Sequence, residues 1–257
     1  MKQILKLIRL KVKDILFPGI DFCLRKRTKL VKKYLKRGPI KTLDAGCGNG
    51  AFCFLCYKLG NSVTGIDLKP DNIKKCLEYR DYKGASASKM KFMVFDIYNL
   101  LQLNETFDQI LCFETLEHLI ENKYILEVFN KLLNPVGILL LGVPNLNCRF
   151  YYGERVSSIE DGAHVRKGYT YPMLRDMLAA VGLEVISKDK YGGIFTRGVT
   201  ALSRRLQGFF SLLKLPNPMK EAIGVLVFLL TNPFTYLDML HKTEPMSIFI
   251  VAKKPAQ

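Results

Sequence analysis

Residues 42–50 read Thr-Leu-Asp-Ala-Gly-Cys-Gly-Asn-Gly, and this stretch decides the fold. Its first half predicts a short strand, and the apolar residues from Ala51 to Leu59 predict a helix directly after the glycines. Glycines at such a junction let the backbone bend sharply and come close to a ligand, while the helix N-terminus offers backbone N–H groups. The unit therefore predicts a ligand site. Its ligand stays open, because Gly46, Gly48 and Ala51 also satisfy the G-x-G-x-x-A dinucleotide fingerprint.

Strand and helix patterns alternate along the chain after this unit. Further strands are predicted at 63–67, 92–96, 107–113, 137–143, 183–188 and 247–252, and helices from residue 70 onward, at 122–133 and at 171–181. The run 137–143 is continuously apolar, which is typical of a strand buried on both faces. The alternation predicts an α/β fold in which a doubly wound, mostly parallel sheet carries helices on both faces.

Six short motifs resemble those of the class I S-adenosylmethionine-dependent methyltransferases. They are Asp44-x-Gly-Cys-Gly-x-Gly50, Val63-Thr-Gly-Ile-Asp67, Phe95-Asp96, Phe107-Asp-Gln-Ile110, Leu116-Glu117-His118 and Leu132-Leu-Asn-Pro-Val-Gly137. The resemblance covers about residues 40–192 and the last strand. It implies a Rossmann-like sheet of seven strands with an antiparallel last strand. One departure is Val136, which stands where the family's Pro-Gly-Gly turn has its first glycine.

The resemblance implies S-adenosylmethionine as the cofactor. In this reading Asp44 and the loop glycines hold the methionine end, Asp67 the ribose and Asp96 the adenine amino group. The full set that it implies is Asp44, Gly46, Cys47, Gly48, Asp67, Leu68, Asp96, Ile97 and Phe113. A nicotinamide-dependent oxidoreductase would also carry an acid at the end of its second strand, so Asp67 alone does not exclude that class. The alternative for Asp67 and Asp96 is solvation of a strand end.

The acceptor side is predicted at the end of the fourth strand, where residues 114–118 read Glu-Thr-Leu-Glu-His. If a helical turn begins there, Glu114, Glu117 and His118 face one way. The E-x-x-E-H pattern is similar to that of the ubiquinone-pathway O-methyltransferases and of the small-RNA 3′-terminal 2′-O-methyltransferases, both of which are associated with metal. A divalent cation, Mg²⁺ or Zn²⁺, is therefore predicted on these three residues, with His164 as a fourth ligand. The alternative is that Leu-Glu-His serves only as a local hydrogen-bonding group.

These residues predict methyl transfer to a hydroxyl of a small or lipid-linked acceptor. The hydroxyl has to lose its proton in this reaction. Glu114, His118 and His164 are therefore predicted to be catalytic, as acid, base or metal ligands. An RNA 2′-O-methyltransferase and a cofactor-binding subunit without catalysis are the alternatives. An Asp/Asn-Pro-Pro-aromatic motif and a Pro-Cys dipeptide are both lacking, which argues against enzymes that modify nucleic-acid bases.

The net charge of +16 is concentrated before the first motif, because residues 1–40 hold 13 Lys or Arg against two Asp. Residues 2–16 predict a basic amphipathic helix with Ile4, Ile8, Val12 and Ile15 on one face, and a second helix is predicted at 22–37. This predicts a basic N-terminal region at 1–38 and a methyltransferase domain at 39–257, with insertions at 144–168 and 194–244. Basic residues interleaved with Ile and Leu, without aromatics for stacking on bases, favour an anionic membrane surface over nucleic acid.

The expected location is the cytoplasm, peripheral to the inner face of the membrane. Residues 2–16 lack the continuous apolar centre of a signal peptide, and the run 222–230 is too short to cross a bilayer. The seven cysteines are odd in number and lie mostly in apolar runs, so reduced thiols are expected rather than a disulfide framework. The lone CxxC at 53–56 has no second pair that would complete a zinc site.

Overall fold

The helices and strands follow the order expected of a doubly wound α/β protein. The structure, a computed structural model, describes residues 2–148, 156–212, 217–240 and 244–256. The strands are β1 (Lys41–Ala45), β2 (Ser62–Asp67), β3 (Met90–Val94), β4 (Phe107–Phe113), β5 (Leu133–Pro144), β6 (Glu184–Tyr191) and β7 (Ser247–Lys253). The helices are α1 (Lys2–Ile15), α2 (Phe22–Tyr34), α3 (Ala51–Lys58), α4 (Pro70–Tyr82), α5 (Asn122–Leu132), α6 (Tyr171–Ala180), α7 (Ile194–Leu212) and α8 (Asn217–Thr231). Three 3-10 segments lie at Ile97–Leu103, Leu116–His118 and Asn232–Leu240.

All seven strands form one sheet in the order β3-β2-β1-β4-β5-β7-β6. Strands β1 to β5 pair in parallel, and β7 runs antiparallel to β5. The predicted fold class, including the antiparallel last strand, is confirmed. Several strand and helix bounds differ from the prediction by a few residues. In particular β3 ends at Val94, so that Asp96 lies in the loop beyond it, and β5 begins at Leu133.

The middle of the sheet is the core of the molecule. Strands β1, β4 and β5 are buried along most of their length, because the core lies against both faces of the sheet. Helix α5 buries one face against this core, through residues such as Ile125 and Phe129. The rigid sheet fixes where each strand ends, and therefore where each following loop begins.

The register of the parallel strands brings four loops together. Ala45 pairs with both Ile66 of β2 and Cys112 of β4, and Asp67 pairs with Val94 of β3. The carboxyl ends of β1 to β4 therefore meet at one edge of the sheet. In open α/β sheets this edge, beside the point where the strand order reverses, is where ligands bind.

The chain divides into two compact units. The sheet unit comprises residues 31–189 and 247–257, and the helical unit comprises residues 1–30 and 190–246. The predicted boundary at residue 38 lies inside the sheet unit, and the predicted insertion 194–244 lies in the helical unit. The boundary of the sequence prediction followed the charge run, whereas the division in the structure follows the packing.

Asp238 organises the interior of the helical unit. Its carboxylate accepts hydrogen bonds from the backbone N–H groups of Gly193 (3.0 Å) and Phe195 (2.8 Å), at the start of α7. It also accepts hydrogen bonds from the Thr196 hydroxyl (2.5 Å) and from Nζ of Lys26 (2.8 Å). Burial alone would raise the pKa of Asp238, but the hydrogen bonds from Lys26 and Thr196 outweigh it and lower that pKa. The charged carboxylate thus stabilises the N-terminus of α7.

Two further predictions concern membranes and thiols. None of the helices in the described ranges is both long enough and apolar enough to span a bilayer. All seven cysteines are thiols, and all of them except Cys23 are buried, as the sequence predicted. Cys53 and Cys56 lie inside α3 as small core residues.

Candidate active site

The loop between β1 and α3 has the shape that its glycines predict. Gly46, Gly48 and Gly50 all take positive φ values, of 82°, 53° and 75°. The N–H groups of Gly46 and Cys47 both donate to the carbonyl of Ile66, at 3.0 and 2.8 Å, which ties the loop to the end of β2. A Cβ at Gly46 would lie 2.3 Å from Oγ1 of Thr115, so only glycine fits there. A Cβ at Gly48 would meet nothing within 4 Å, so this face of the loop is open.

Asp67 closes the loop from the next strand. Its Oδ2 accepts a hydrogen bond from Gly48 N–H (2.9 Å), and its Oδ1 accepts from Lys69 N–H (2.8 Å) and from the Asn72 side chain (3.1 Å). A carboxylate offers about four acceptor positions, so one position on Oδ2 remains for a ligand hydroxyl. Leu68, beside it, is 69% exposed, which is unusual for a leucine next to a buried strand.

Asp96 begins the 3-10 segment that follows β3. Its Oδ1 accepts a hydrogen bond from Tyr98 N–H at 3.0 Å, as an N-cap residue does. Within the described ranges no donor reaches Oδ2. Ile97, the next residue, is buried. The Asp96 carboxylate is thus held in place through Oδ1, and Oδ2 is left to accept a hydrogen bond from a ligand.

The remaining residues predicted for the cofactor lie beneath the loop. Asp44 is buried at the end of β1 and accepts a hydrogen bond from Sγ of Cys53 at 3.1 Å. A hydrogen bond with Cys53 and burial raise the pKa of Cys47, so this thiol is neutral at pH 7. Phe113 is buried between the rings of Phe52 and Phe249, at centroid distances of 4.7 and 6.0 Å. These side chains shape the floor of the loop.

The acceptor side brings together three of the four residues predicted to bind metal. One ligand atom each of Glu117, His118 and His164 lies within 4.8 Å of the others. The His118 and His164 rings meet edge to face at 4.6 Å, and Nε2 of His164 lies 4.0 Å from Oε1 of Glu117. Glu117 is fully buried, so a cation beside it would be screened very little.

Glu114 is not part of this cluster. Its φ of 49° is left-handed, and the helical turn covers only Leu116–His118, so it begins two residues later than the prediction assumed. The Glu114 carboxylate instead accepts a hydrogen bond from Ser247 at 3.3 Å. Helical spacing predicts Glu114 on the same face as Glu117 and His118. The left-handed backbone at Glu114 explains why it does not lie there.

The predicted insertion 144–168, which contains His164, also holds His118 in place. Nδ1 of His118 contacts the carbonyl of Ala163 at 2.9 Å, and Val165 N–H donates to the carbonyl of Glu117 at 3.0 Å. A carbonyl only accepts, so neutral His118 carries its proton on Nδ1 and leaves the lone pair on Nε2. Arg166 reinforces the contact by donating to the Leu119 carbonyl at 2.7 Å. Residues 149–155 of the insertion lie outside the described residues.

Tyr169 supports the turn from below. Its buried hydroxyl donates to the Leu116 carbonyl at 3.0 Å and accepts from the Asn122 side chain at 2.8 Å. Burial raises the pKa of Tyr169, so it is a neutral hydrogen-bonding group. Neither Tyr169 nor Thr115, which packs on Gly46, belongs to a motif that the sequence analysis used.

A family model described as a methyltransferase domain matches residues 37–198, which is more than half of the chain. The chain belongs to this methyltransferase family. S-adenosylmethionine is the cofactor of the family, so the resemblance and the cofactor class predicted from the six motifs are confirmed. The nicotinamide alternative is thereby excluded.

Curated relatives of this methyltransferase are ubiquinone biosynthesis O-methyltransferases. The human mitochondrial enzyme is 29% identical over 154 residues, which are 57% of this chain and 42% of that protein. The enzyme of Psychrobacter cryohalolentis is 30% identical over 159 residues, which are 59% of this chain and 61% of that protein. The match therefore spans less than two thirds of either relative.

Solved structures share the fold at low sequence identity. Coclaurine N-methyltransferase bound to N-methylheliamine and S-adenosylhomocysteine superposes with a TM-score of 0.62 at 18% identity, covering 90% of this methyltransferase and 72% of that chain. The [4+2]-cyclase SpnF gives a TM-score of 0.62 at 16% identity, covering 91% and 82%. Because one of these is a cyclase, the fold alone does not decide the reaction.

Proposed function

We propose that this methyltransferase transfers the methyl group of S-adenosylmethionine to a hydroxyl of a small or lipid-linked acceptor. The observation that carries the proposal is the cluster of Glu117, His118 and His164. Glu117 and His118 follow β4, at the edge where β1, β2 and β3 also end. A bound hydroxyl there has an imidazole beside it that can take its proton. The kinship with O-methyltransferases supports the same choice.

The cofactor residues fit S-adenosylmethionine. The open face of Gly48 leaves room for a ligand against the backbone, where a Cβ would otherwise project. The remaining acceptor position of Asp67 suits a ribose hydroxyl, and Oδ2 of Asp96 suits the adenine amino group. Exposed Leu68 then covers an apolar face of the ligand, and Asp44 with Cys47 forms the floor at the methionine end.

The cofactor supplies an electrophilic sulfonium methyl, so the protein has to align the nucleophile and exclude water. The hydroxyl oxygen attacks the methyl carbon, the bond from carbon to sulfur breaks, and its electron pair goes to sulfur. Nε2 of His118 takes the hydroxyl proton, since Nδ1 is held by Ala163. His164 and buried Glu117 stabilise the imidazolium that forms.

A divalent cation also fits this cluster. Two imidazoles and a carboxylate are a ligand set found at catalytic zinc sites, which keep a position open for substrate. Glu117, His118 and His164 would hold the ion, and the ion would lower the pKa of an acceptor hydroxyl. Glu114, one of the four predicted ligands, lies outside the set and keeps only the proposed catalytic role of a carboxylate near the acceptor.

The test is methyl transfer from labelled S-adenosylmethionine to a lipid-tailed catechol, measured in parallel on an RNA oligonucleotide. We expect a methyl ether on the catechol, and His118→Gln should lower kcat at least about a hundredfold while leaving S-adenosylhomocysteine affinity unchanged. His241→Gln, which changes the third histidine of the sequence, is the matched control. Methylation of RNA alone, or no turnover with any hydroxyl, contradicts the proposal. The latter result supports a subunit without catalysis.

The metal is tested separately with a chelator. Turnover should be lost in EDTA and return with Mg²⁺ or Zn²⁺, and Glu117→Gln should remove the response. Full turnover in EDTA contradicts the cation and leaves His118 as the base.

We also propose that the acceptor is reached at an anionic membrane surface to which α1 contributes. Of the predicted stripe of α1, Ile8, Val12 and Ile15 are exposed, and Lys11 lies on the same side; the side chain of Ile4 lies outside the described part of the chain. Each basic residue near an anionic surface contributes about 1 kcal/mol. The protein should sediment with anionic but not with neutral vesicles, and deleting residues 1–17 should weaken this severalfold. Sedimentation that is unchanged by the deletion contradicts the role of α1.

A further inference from the structure

The exposed face of α7 is apolar. Leu202, Phe209 and Leu212 are spaced at seven and three residues, so they lie on one face of the helix, and all three are exposed. The buried side of the same helix carries Thr196 and Thr200. Their hydroxyls are satisfied internally, because Thr196 donates to Asp238 and Thr200 donates to the Thr196 carbonyl. A helix on a water-soluble surface has the opposite arrangement.

Helix α8 is apolar on its exposed face as well as on its buried one. Phe228 is buried against the Phe22 ring at 5.3 Å and the Arg25 guanidinium at 4.6 Å. On the other side Leu226 and Leu230 are 55% and 64% exposed, and their spacing of four residues makes them neighbours. The exposed side of α8 is therefore as apolar as the side that packs against the rest of the helical unit.

Large exposed apolar side chains are concentrated in the helical unit. It holds 13 of the 25 such residues in the described parts of the chain, although it has only a third of the sequence. Phe234 and Tyr236 of the segment Asn232–Leu240 add two aromatic side chains to those of the helices. Soluble monomers rarely leave so much apolar surface exposed without a partner.

The charge of the helical unit identifies the partner. Its residues, 1–30 and 190–246, include 16 Lys or Arg against five Asp or Glu. Arg205 lies between Leu202 and Phe209 on the exposed face of α7. Apolar and aromatic side chains with interspersed Arg and a strong positive excess are the composition that binds an anionic bilayer interface.

We propose that α7, α8 and the segment Asn232–Leu240 form a monotopic membrane-binding element that inserts its apolar face into an anionic bilayer. The element lies within the interface and does not span it, in keeping with the helix lengths. This deepens the proposed function by naming the part of the chain that inserts into the membrane from which the acceptor is taken, and it rests on that function for this point alone.

The chain contains no tryptophan, so one introduced indole reports on one position. In the full-length protein, Phe209→Trp and Leu226→Trp should show a blue shift on anionic vesicles of phosphatidylglycerol and phosphatidylcholine, and quenching by brominated acyl chains. Tyr82→Trp is the matched control, because Tyr82 is an exposed aromatic residue of α4 in the sheet unit. The control should show neither effect. Vesicle-bound protein in which Phe209→Trp and Leu226→Trp are not quenched overturns the proposal.

A second comparison measures affinity. Leu226→Gln/Leu230→Gln should lower vesicle binding at least about tenfold, since two leucines no longer insert. Met173→Gln/Ile186→Gln, two exposed apolar residues of the sheet unit, should leave it unchanged. Any of three results overturns the proposal: an equal loss of vesicle binding in both variants, salt-dependent retention on RNA without vesicle binding, or a dimer that Leu226→Gln/Leu230→Gln dissociates. S-adenosylhomocysteine affinity, measured by calorimetry on each variant, reports separately whether the methyltransferase site is intact.

Discussion

Gly46 and Gly48, two glycines of the cofactor loop, provide a matched pair of substitutions with different expected costs. Gly46→Ala places a Cβ 2.3 Å from Oγ1 and 3.0 Å from Cγ2 of Thr115, at a φ of 82°. A left-handed conformation costs an alanine about 1–2 kcal/mol, and overpacking of this kind costs about 1–3 kcal/mol. We therefore expect Gly46→Ala to lower the free energy of unfolding by about 2–5 kcal/mol.

Removing the other partner isolates the steric part. Thr115→Ala deletes the two closest atoms and leaves only Cβ of residue 115, at 3.2 Å from the new methyl group. In a double-mutant cycle, Gly46→Ala/Thr115→Ala should recover about 1–3 kcal/mol relative to additivity. Urea denaturation of the four proteins measures the coupling. A coupling within about 0.5 kcal/mol of zero would contradict a steric clash between the new methyl group and Thr115.

Gly48→Ala should weaken cofactor binding more than it lowers stability. Its φ of 53° costs an alanine about 1 kcal/mol, and no atom lies within 4 Å of the new methyl group. Stability should fall little, whereas the methyl group projects into the space proposed for the cofactor. S-adenosylhomocysteine affinity, measured by calorimetry, should fall at least about tenfold. Unchanged affinity in Gly48→Ala would move the cofactor away from this face of the loop.

Three further predictions follow from single residues. Asp67→Ala should weaken S-adenosylhomocysteine binding by about 2 kcal/mol in calorimetry, because a charge-assisted hydrogen bond to the ribose is lost; unchanged affinity would contradict the ribose role. The folded-state pKa of Asp238 is lowered, so its stabilisation is complete above the ordinary value of 3.8 and disappears as the pH falls through the lower folded value. Asp238→Asn should therefore flatten the acid limb of the unfolding free energy, and an unaltered acid limb would contradict this. Val136 has a φ of 55°, so Val136→Gly should raise the melting temperature by relieving strain of about 1 kcal/mol, and a lower melting temperature would contradict the strain.

The sheet and its cofactor edge could be predicted because strand ends fix geometry. Asp44 and Asp67 stand at the ends of two strands, so parallel pairing alone brings them to the same edge. Val136 could be recognised as a departure from the family turn, and its left-handed φ shows the physical reason for a glycine there. Glu114 could not be placed in the same way, since helical spacing says nothing about where a turn begins.

In the helical unit, hydrophobic periodicity alone does not determine which face of a helix is buried. The run 222–230 is apolar all round, so sequence alone favours a core helix and a membrane-bound helix equally. Packing separates the two faces, because Phe228 contacts Phe22 whereas Leu226 and Leu230 are exposed. In α7 the buried face depends on a residue more than 40 positions further along the chain. Asp238 accepts a hydrogen bond from the Thr196 hydroxyl, so Thr196 can be buried and the apolar face is exposed. An apolar pattern therefore identifies a membrane element only once the partners of its polar side chains are known.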